Sequence, residues 1–320
     1  MKIVVLDAGT LDFESSAWGD LNALCDVVLH DTTVNAAEVI QERIKGAVGV
    51  FTNKVILSSE IIANSPDLKF IGVLATGYNA IDVDAAHQHG VTVCNVPTYG
   101  TATTAQHAVA LILELCNQVG LNNASVQAGD WIGSHHFSYW KQAPIELDGL
   151  TVGIIGFGTI GRRVASILHA MGARIVASAR TPRDAPDYAG FEWLDNETIF
   201  QTADIVSLHC PETPSNRGFV NAALLKKMKP GAFLVNTARG GLICEDDLSY
   251  ALRHGPLTGA ALDVLSSEPM SENCPLLGLD NCLITPHIAW ASEAARKRLL
   301  MTSIDNLKQF LAGAPINVVS

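Results

Sequence analysis

The sequence predicts an α/β protein made of two domains, each built on a parallel sheet that helices flank. Short apolar runs of strand length alternate with helical patterns over residues 1–100 and again over residues 150–285, and this alternation is typical of parallel sheets. The 320 residues are enough for two hydrophobic cores, and 48% of them are apolar whereas only 17% are charged. We therefore expect two doubly wound domains with a cleft between them.

The first series of elements occupies residues 1–100. A helix is predicted near residues 36–44, and Pro97 closes the last strand of the series. The predicted strands are Ile3–Leu6, Val27–Leu29, Ala47–Phe51, Phe70–Leu74 and Val91–Asn95. No glycine-rich phosphate-binding motif follows any of these strands, and the first domain is expected to be flavodoxin-like.

The connection between the two series contains a helix start and an aromatic segment. Thr103-Thr104-Ala105-Gln106 matches a capping box, in which a Thr precedes a Gln by three residues, and predicts the start of a helix. Residues 121–148 are predicted to form an irregular loop. Its aromatic residues are Trp131, Phe137, Tyr139 and Trp140. They either form the interface of a homodimer or pack over the core of their own chain.

The second series opens with the most informative stretch, residues 151–180. The apolar run Val152–Ile155 predicts a buried strand, a helical pattern follows, and a second strand begins at Arg174. The turn between strand and helix is Gly156-Phe157-Gly158-Thr159-Ile160-Gly161. In this setting the three glycines allow a tight turn, the approach of a pyrophosphate and close helix–strand packing, while the amides near Thr159 and Ile160 face the phosphates. The stretch predicts a Rossmann-like dinucleotide-binding domain.

The end of the second strand of this motif departs from the pattern of NAD sites. Such sites place an Asp or Glu there, about 20 residues after the glycines, to bind the ribose 2′-hydroxyl. Here the segment is Ala177-Ser178-Ala179-Arg180-Thr181, without a carboxylate. Because arginine binds phosphate through charge-assisted hydrogen bonds, Arg180 and Thr181 favour NADP. The alternative is NAD bound by hydroxyl groups alone, with Arg180 in solvent.

Polar residues follow the remaining strands at their carboxyl ends, where open α/β sheets bind ligands. The strands are predicted at Ile205–Leu208, Ala232–Asn236, Leu257–Val264 and Leu283–Thr285. The polar residues at their ends include Cys210, Thr237, Arg239, Asp263 and His287. A last helix, predicted over residues 292–311, would pack on the N-terminal half. The first domain is then discontinuous, with residues 1–100 and 287–320, and the second comprises residues 101–286.

The composition excludes several classes of partner. The chain has 21 basic and 32 acidic residues, a net charge of −11, which argues against nucleic acid and anionic membranes. No apolar run approaches the roughly 20 residues of a membrane span, and the ten histidines show no metal-ligand spacing. The seven cysteines include no C-x-x-C pair. Together with the lack of a signal-peptide core, they indicate a reducing, cytoplasmic location.

Three residues have the chemistry to reduce a keto acid. The reaction needs a group that holds the carboxylate, a group that polarises the carbonyl and a general acid. Arg239 follows a buried strand and can do the first two, whereas His287 can donate the proton because imidazole changes charge near neutral pH. Glu268 can accept a hydrogen bond from the far nitrogen of that imidazole and keep it protonated. Each residue alone is also compatible with a structural role, as a surface arginine, a turn cap and a loop histidine.

Taken together, the motifs resemble those of the D-isomer-specific 2-hydroxyacid dehydrogenases over essentially the whole chain. Besides the glycine motif, they are Lys229–Gly241, Ala261–Val264, Glu268-Pro269 and Pro286-His287-Ile288. The resemblance implies that Arg239, Glu268 and His287 form the active site. It also implies that the amides around Thr76 and Gly77, together with Arg239 and His287, bind the substrate. Further cofactor contacts implied in this way come from Thr104, Cys210, Thr237, Ala238, Asp263 and Trp290.

Within the family, Phe137-Ser138-Tyr139-Trp140 and His287-Ile288-Ala289-Trp290 look most like segments of glycerate dehydrogenases and hydroxypyruvate reductases. The resemblance implies hydride transfer between a nicotinamide cofactor and a small D-2-hydroxy acid or 2-keto acid, most similar to hydroxypyruvate or glyoxylate reduction. Ala179 stands where NAD-using members carry Asp, which agrees with NADP as the preferred cofactor and NAD as the second. Two alternatives stay open. They are a dehydrogenase for another 2-keto acid or phosphite, and a non-catalytic NAD(P)-sensing protein like the corepressors of the family.

Overall fold

The computed structural model of the protein describes residues 1–11 and 15–319. The chain divides into two compact units, one formed by residues 1–100 with the C-terminal residues from Ala291 onward, the other by Thr101–Trp290. Each unit contains a parallel sheet with flanking helices, which confirms the predicted α/β class. In the described part of the chain, no helix has the length and hydropathy that a membrane crossing needs.

The first unit contains a five-stranded parallel sheet with the order β2-β1-β3-β4-β5. Its strands are β1 (Lys2–Val5), β2 (Asp26–Leu29), β3 (Gly49–Thr52), β4 (Phe70–Val73) and β5 (Thr92–Cys94). The helices of residues 1–100 are α1 (Gly19–Asn22), α2 (Ala37–Ile44), α3 (Ser59–Ala63) and α4 (Val83–Gln88). Every residue of β3 and β4 is buried, which is why these inner strands are continuous apolar runs in the sequence.

The second unit contains a seven-stranded parallel sheet with the order β12-β11-β10-β9-β6-β7-β8. Its strands are β6 (Thr151–Ile155), β7 (Arg174–Ser178), β8 (Glu192–Trp193), β9 (Ile205–Leu208), β10 (Phe233–Asn236), β11 (Gly259–Leu262) and β12 (Cys282–Ile284). The chain runs outward from β6 through β7 to β8 on one side, and through β9 to β12 on the other. Ligands bind open α/β sheets at such a reversal, here the carboxyl ends of β6 and β9.

Helices cover both faces of this second sheet. They are α5 (Thr101–Asn117), α6 (Val119–Gln127), α7 (Thr159–Ala170), α8 (Asn196–Thr202), α9 (Ala222–Leu225) and α10 (Glu245–His254). Val152 and Ile154 of β6 belong to one apolar core, which includes residues of α5 and α7. Ile155 of the same strand belongs to the other core, with residues of α8 and α10. Successive residues of the strand thus fill two cores, as a buried parallel strand requires.

The last helix, α11 (Glu293–Leu311), belongs to the first unit and packs on β4. The Ser292 side chain caps it by accepting a hydrogen bond from the N–H of Ala295, and Gly313 beyond its end has a φ of +77°, as is common after helices. The buried face of α11 carries leucines and an isoleucine, and also the polar residues Ser303 and Asn306.

Two local predictions are wrong. Helix α5 begins at Thr101, so Thr103 lies in its first turn and does not cap it. A row of threonines at positions 98, 101, 103 and 104 left several candidate caps, and sequence alone could not choose between them. Residues 121–148 are not wholly irregular, because α6 extends to Gln127. Ser125 is the one buried residue of this helix, so the sequence of α6 contains no apolar face from which a helix could be predicted.

Candidate active site

The glycine turn between β6 and α7 is shaped by two close approaches. Gly156 has a φ of +95°, which favours glycine, and a Cβ there would lie 2.5 Å from the backbone nitrogen of Cys210. A Cβ at Gly161 would lie 2.3 Å from the carbonyl oxygen of Gly156. Packing therefore requires both glycines, whereas a Cβ at Gly158 would meet nothing within 4 Å.

The open space at Gly158 continues in front of α7. The helix begins at Thr159, Ile160 lies in its first turn, and no side chain caps its first amides. A depression at this end of the helix is lined by Thr101, Gly158, Thr159, Arg162, Arg163 and Ser166. Uncapped helix amides and the positive end of the helix dipole attract phosphate. The residues present therefore fit the pyrophosphate of a dinucleotide.

The carboxyl end of β10 offers a second indication of a ligand. The Thr237 side chain is buried, and its Oγ1 has no hydrogen-bond partner among the described residues. Since buried hydroxyl groups normally have a partner, this oxygen fits a hydrogen bond to a bound cofactor. The turn that carries it is fixed by Asn236, whose side chain accepts from the N–H of Ala238 at 3.0 Å and donates to the carbonyl oxygen of Arg239 at 2.8 Å.

Arg239 precedes a tight contact between two loops. Its guanidinium is exposed, and one nitrogen donates to the carbonyl oxygen of Ala238 at 2.7 Å. The next residue, Gly240, lies so close to Leu265 that a Cβ would fall 1.9 Å from the Leu265 carbonyl carbon. The N–H of Leu265 in turn donates to Oε1 of Glu268 at 3.0 Å. The loop of Arg239 therefore contacts the loop that fixes Glu268.

The side chains of Glu268 and His287 are hydrogen-bonded to each other. Oε2 of Glu268 lies 2.6 Å from Nδ1 of His287, and the two side chains are 34% and 27% exposed. A carboxylate on Nδ1 orients the ring and leaves Nε2 for proton transfer. The structure thus brings together two of the predicted catalytic residues, 19 positions apart in the sequence.

The backbone of His287 is held in an uncommon conformation. Its φ is +53°, and for a residue other than glycine such a conformation costs about 1–3 kcal/mol. The N–H of His287 lies 2.8 Å from the carbonyl oxygen of Asp263 and 2.9 Å from that of Thr285. The next two amides, of Ile288 and Ala289, both donate to the Asp263 carboxylate at 2.9 Å. These hydrogen bonds offset the strain and set the direction of the His287 side chain.

Asp263 is the buried anion at the centre of this segment. Burial by itself raises its pKa. Hydrogen bonds from the side chains of His107 and Thr285, and from the amides of Ala289 and Ile288, outweigh burial and lower the pKa below its usual value. The carboxylate is therefore ionised at neutral pH and holds the His287 segment. Its contact with a cofactor, implied by the family resemblance, stays a prediction.

Sequence reasoning missed His107, which supports Asp263 from α5. Its Nε2 lies 3.0 Å from Oγ1 of Thr285 and 3.4 Å from Oδ1 of Asp263. Thr285 donates its single hydroxyl proton to Asp263 at 2.6 Å, so Nε2 of His107 must carry a proton and donate. The available signal was its position three residues after Thr104 on one helix face. Thr104 itself is buried in α5.

The end of β9, beside the glycine turn, carries two uncharged side chains. Burial lowers the pKa of His209 to about 4, and burial raises the pKa of the Cys210 thiol. Nε2 of His209 lies 2.9 Å from Oγ of Ser207. At neutral pH neither group therefore adds a charge where Cys210 is predicted to line the cofactor.

The end of β7 carries a buried, hydrogen-bonded serine and, two residues later, an exposed arginine. Ser178 is buried and donates its hydroxyl to Oδ1 of Asn196 at 2.5 Å, so this proton is not free for a ribose. Arg180 and Thr181 are exposed, and Arg180 makes no hydrogen bond or ion pair with any described residue. Arg162 stacks on Phe157 at 4.7 Å and donates to two carbonyl oxygens of the segment that follows, at residues 183 and 184.

The residues predicted to bind the substrate carboxylate through their amides, Thr76 and Gly77, lie in the first unit, in the loop after β4. The N–H groups of Thr76 and Gly77 have no hydrogen-bond partner in the described part of the chain, so they are free to bind an anion. The hydroxyl of Thr76 donates to the carbonyl oxygen of Val96 at 2.7 Å. Trp290, predicted to line the cofactor, is half-buried at the end of the second unit.

Comparison with known proteins gives one family for this chain. The sequence profile described as "D-isomer specific 2-hydroxyacid dehydrogenase, NAD binding domain" matches residues 109–289. A hydroxypyruvate reductase of Blautia hydrogenotrophica is 41% identical over 321 residues, which cover 100% of both chains. A glycerate dehydrogenase of Methylorubrum extorquens is 37% identical over 320 residues, 99% of this chain and 98% of the relative.

A solved structure has the same fold over the full length. It is an NADPH-dependent glyoxylate/hydroxypyruvate reductase from Sinorhizobium meliloti in complex with NADP and malonate. The two chains superpose with a TM-score of 0.86 and are 26% identical, with 100% of this chain and 96% of that chain covered.

Proposed function

The chain belongs to the D-isomer specific 2-hydroxyacid dehydrogenases, and from this membership we propose that it reduces hydroxypyruvate or glyoxylate. It is an oxidoreductase that uses a nicotinamide cofactor. The observation that carries the proposal is the hydrogen bond between Glu268 and His287, whose Oε2 and Nδ1 lie 2.6 Å apart, in a chain related over its full length to a hydroxypyruvate reductase. The products would be D-glycerate and glycolate.

In this proposal His287 is the general acid. Glu268 binds Nδ1 and stabilises the imidazolium, so that Nε2 presents a proton to the keto oxygen as negative charge develops there. Arg239 binds the substrate carboxylate and polarises the carbonyl group. The amides of Thr76 and Gly77 are proposed as further ligands of the carboxylate. The reduced nicotinamide, when bound, supplies the hydride.

The cofactor would be held by three groups of residues in the second unit. The amides of Thr159 and Ile160, after the turn Gly156–Gly161, would bind the pyrophosphate. The unpartnered hydroxyl of Thr237 would bind a polar group of the cofactor. The remaining residues proposed to line it are Thr104, Ala238, Cys210, Asp263 and Trp290.

A substrate panel tests this function. Hydroxypyruvate, glyoxylate, a bulky 2-keto acid such as 2-ketoisocaproate, and phosphite are each assayed with both cofactors. We expect the highest kcat/KM for hydroxypyruvate or glyoxylate. Preferred turnover of phosphite or of the bulky keto acid would contradict the proposal and favour a dehydrogenase for another 2-keto acid or for phosphite. Tight cofactor binding without any turnover would favour a cofactor-sensing binding protein.

The proposed cofactor preference is NADP over NAD. No carboxylate stands at residues 179–181, directly after β7, to repel a 2′-phosphate, and Arg180 is exposed and unpaired within the described residues. A charge-assisted hydrogen bond from Arg180 would favour NADPH by about 10- to 150-fold in kcat/KM. The preference should reverse in Ala179→Asp with Arg180→Ala, because the variant gains an acceptor for the ribose and loses the phosphate ligand.

Steady-state kinetics with both cofactors at one salt concentration checks this preference. Arg183→Ala is the matched control. Arg183 lies in the same exposed segment, and among the described residues its one hydrogen bond is from Arg162 to its carbonyl oxygen, which the substitution keeps. Equal kcat/KM values, or values that favour NADH in the unmodified protein, would show that Arg180 is a surface residue.

A cytoplasmic homodimer is the proposed working form. Phe137, Trp140 and Trp131 are 93%, 59% and 50% exposed, and exposed aromatic residues are typical of subunit interfaces. Light scattering should then give the mass of two chains.

A further inference from the structure

A chain of asparagine side chains connects α11 and the residues after it to the loop after β4. Asn306, on α11, is 1% exposed, and Asn95, just after β5, is 9% exposed. Nδ2 of Asn306 donates to the carbonyl oxygen of Asn95 at 2.9 Å, and Nδ2 of Asn317 donates to Oδ1 of Asn306 at 2.8 Å. Burial of a side-chain amide costs desolvation energy. If packing alone determined the residue at position 306, an apolar residue such as leucine would be expected there.

The inner end of this chain fixes one peptide group. Nδ2 of Asn95 donates to the carbonyl oxygen of Thr76 at 2.7 Å. In a trans peptide the C=O of Thr76 and the N–H of Gly77 point in opposite directions. The hydrogen bond from Asn95 therefore directs the N–H of Gly77 away from Asn95. That N–H has no partner in the described part of the chain, so it is an oriented donor for an anion.

The outer end of the chain is anchored by the residues after α11. Asn317 has a φ of +53°, and its carbonyl oxygen accepts from the N–H of Asn95 at 3.1 Å. Val318 pairs with Cys94 of β5 in an antiparallel bridge. The backbone of Asn95 is thus held through its N–H by Asn317 and through its C=O by Asn306, and this fixed backbone positions the side chain that donates to Thr76.

We propose that Asn95, Asn306 and Asn317 are positioning residues for the substrate. Their hydrogen bonds set the Thr76–Gly77 peptide so that its amide binds the carboxylate of the 2-keto acid. The inference rests on the proposed function, because that function identifies the anion. It gives Asn306 of α11, which is 211 residues away from Asn95 in the sequence, a part in substrate affinity. Since these side chains act through the peptide, their loss changes KM and not kcat.

The test compares Asn95→Ala, Asn306→Ala and Asn317→Gly. Glycine adopts the left-handed backbone of position 317 without strain, so this variant deletes only the side-chain amide and folds even if Asn306→Ala does not. Ser303→Ala is the matched control. Ser303 is buried on the same helix one turn before Asn306, and its Oγ has no partner among the described residues.

We expect KM for hydroxypyruvate to rise about tenfold in Asn95→Ala and about threefold in Asn317→Gly, while kcat stays within about twofold. The rise is moderate because the charge-assisted hydrogen bond from the Gly77 amide to the carboxylate is weakened and not deleted. The dissociation constant of oxalate, measured by calorimetry on the enzyme saturated with NADP⁺, should rise in parallel. Ser303→Ala should change neither quantity.

If Asn95→Ala bound oxalate as tightly as Ser303→Ala does, the proposal would be overturned. If KM and the oxalate dissociation constant were unchanged in Asn317→Gly, Asn317 would have no part in it. A fall in kcat at constant KM would also contradict it, because the asparagines would then act on the chemical step. If the unmodified protein did not reduce hydroxypyruvate, the proposed function would fail, and the oxalate titration would still decide whether the asparagines position an anion site.

Discussion

Replacement of His287 by asparagine should lower kcat for hydroxypyruvate reduction by about 10²- to 10⁴-fold, which is what general acid catalysis typically contributes. Asparagine adopts a left-handed backbone, such as the φ of +53° at this position, more readily than most residues. The variant therefore keeps the backbone hydrogen bonds of the segment to Asp263, while it loses the imidazole that donates the proton and contacts Glu268. Steady-state kinetics at saturating cofactor measures the effect.

Two further variants make this result specific. His135→Asn replaces an exposed histidine and should leave kcat unchanged. Glu268→Gln keeps the shape of the carboxylate but removes its charge beside Nδ1, so it should lower kcat by less than His287→Asn does. Turnover in His287→Asn within a few-fold of the unmodified protein would remove His287 from its role as the acid.

Arg239→Ala should lower kcat/KM by about 10²- to 10³-fold, the usual cost of removing a donor that stabilises charge in the transition state. Because the guanidinium both binds the carboxylate and polarises the carbonyl, KM should rise and kcat should fall together. Arg239→Lys should recover part of the loss, since a lysine keeps the charge but not the planar pair of donors.

The matched control for Arg239 is Arg217→Ala. The Arg217 side chain is 71% exposed and lies 3.8 Å from Glu212, which follows β9. Its loss should change kcat/KM by less than about twofold, as is usual for an exposed ion pair. If Arg239→Ala raised KM alone and left kcat unchanged, Arg239 would be a binding residue without a part in polarisation.

The glycine turn and the apolar strands of both sheets could be predicted because their causes are local. The short edge strand β8 (Glu192–Trp193) was missed, because it has only two residues and neither is fully buried. A Cβ at Gly156 or Gly161 would meet backbone atoms, and the buried strands are short continuous apolar runs with helices between them. Asp263 directly follows the apolar strand β11, and Thr237 and Arg239 lie within three residues after β10, so their place at the carboxyl ends of strands could be predicted too.

The supporting contacts of the site could not be predicted, because they join distant parts of the chain. His107 contacts Thr285 across 178 residues, and Asn306 contacts Asn95 across 211. Neither His107 nor Asn306 belongs to a sequence motif whose function can be inferred from the neighbouring residues. Each is a polar residue on a helix, and only the fold shows that it meets a hydrogen-bond partner.

The configuration of the product tests the central claim most directly. Hydroxypyruvate is incubated with the protein and NADPH, and the glycerate formed is resolved by chiral chromatography. The assignment of the chain to D-specific hydroxyacid chemistry, with His287 as the acid and Arg239 on the carboxylate, predicts D-glycerate in an amount equal to the NADPH oxidised. Formation of L-glycerate, or oxidation of NADPH without glycerate, would contradict it.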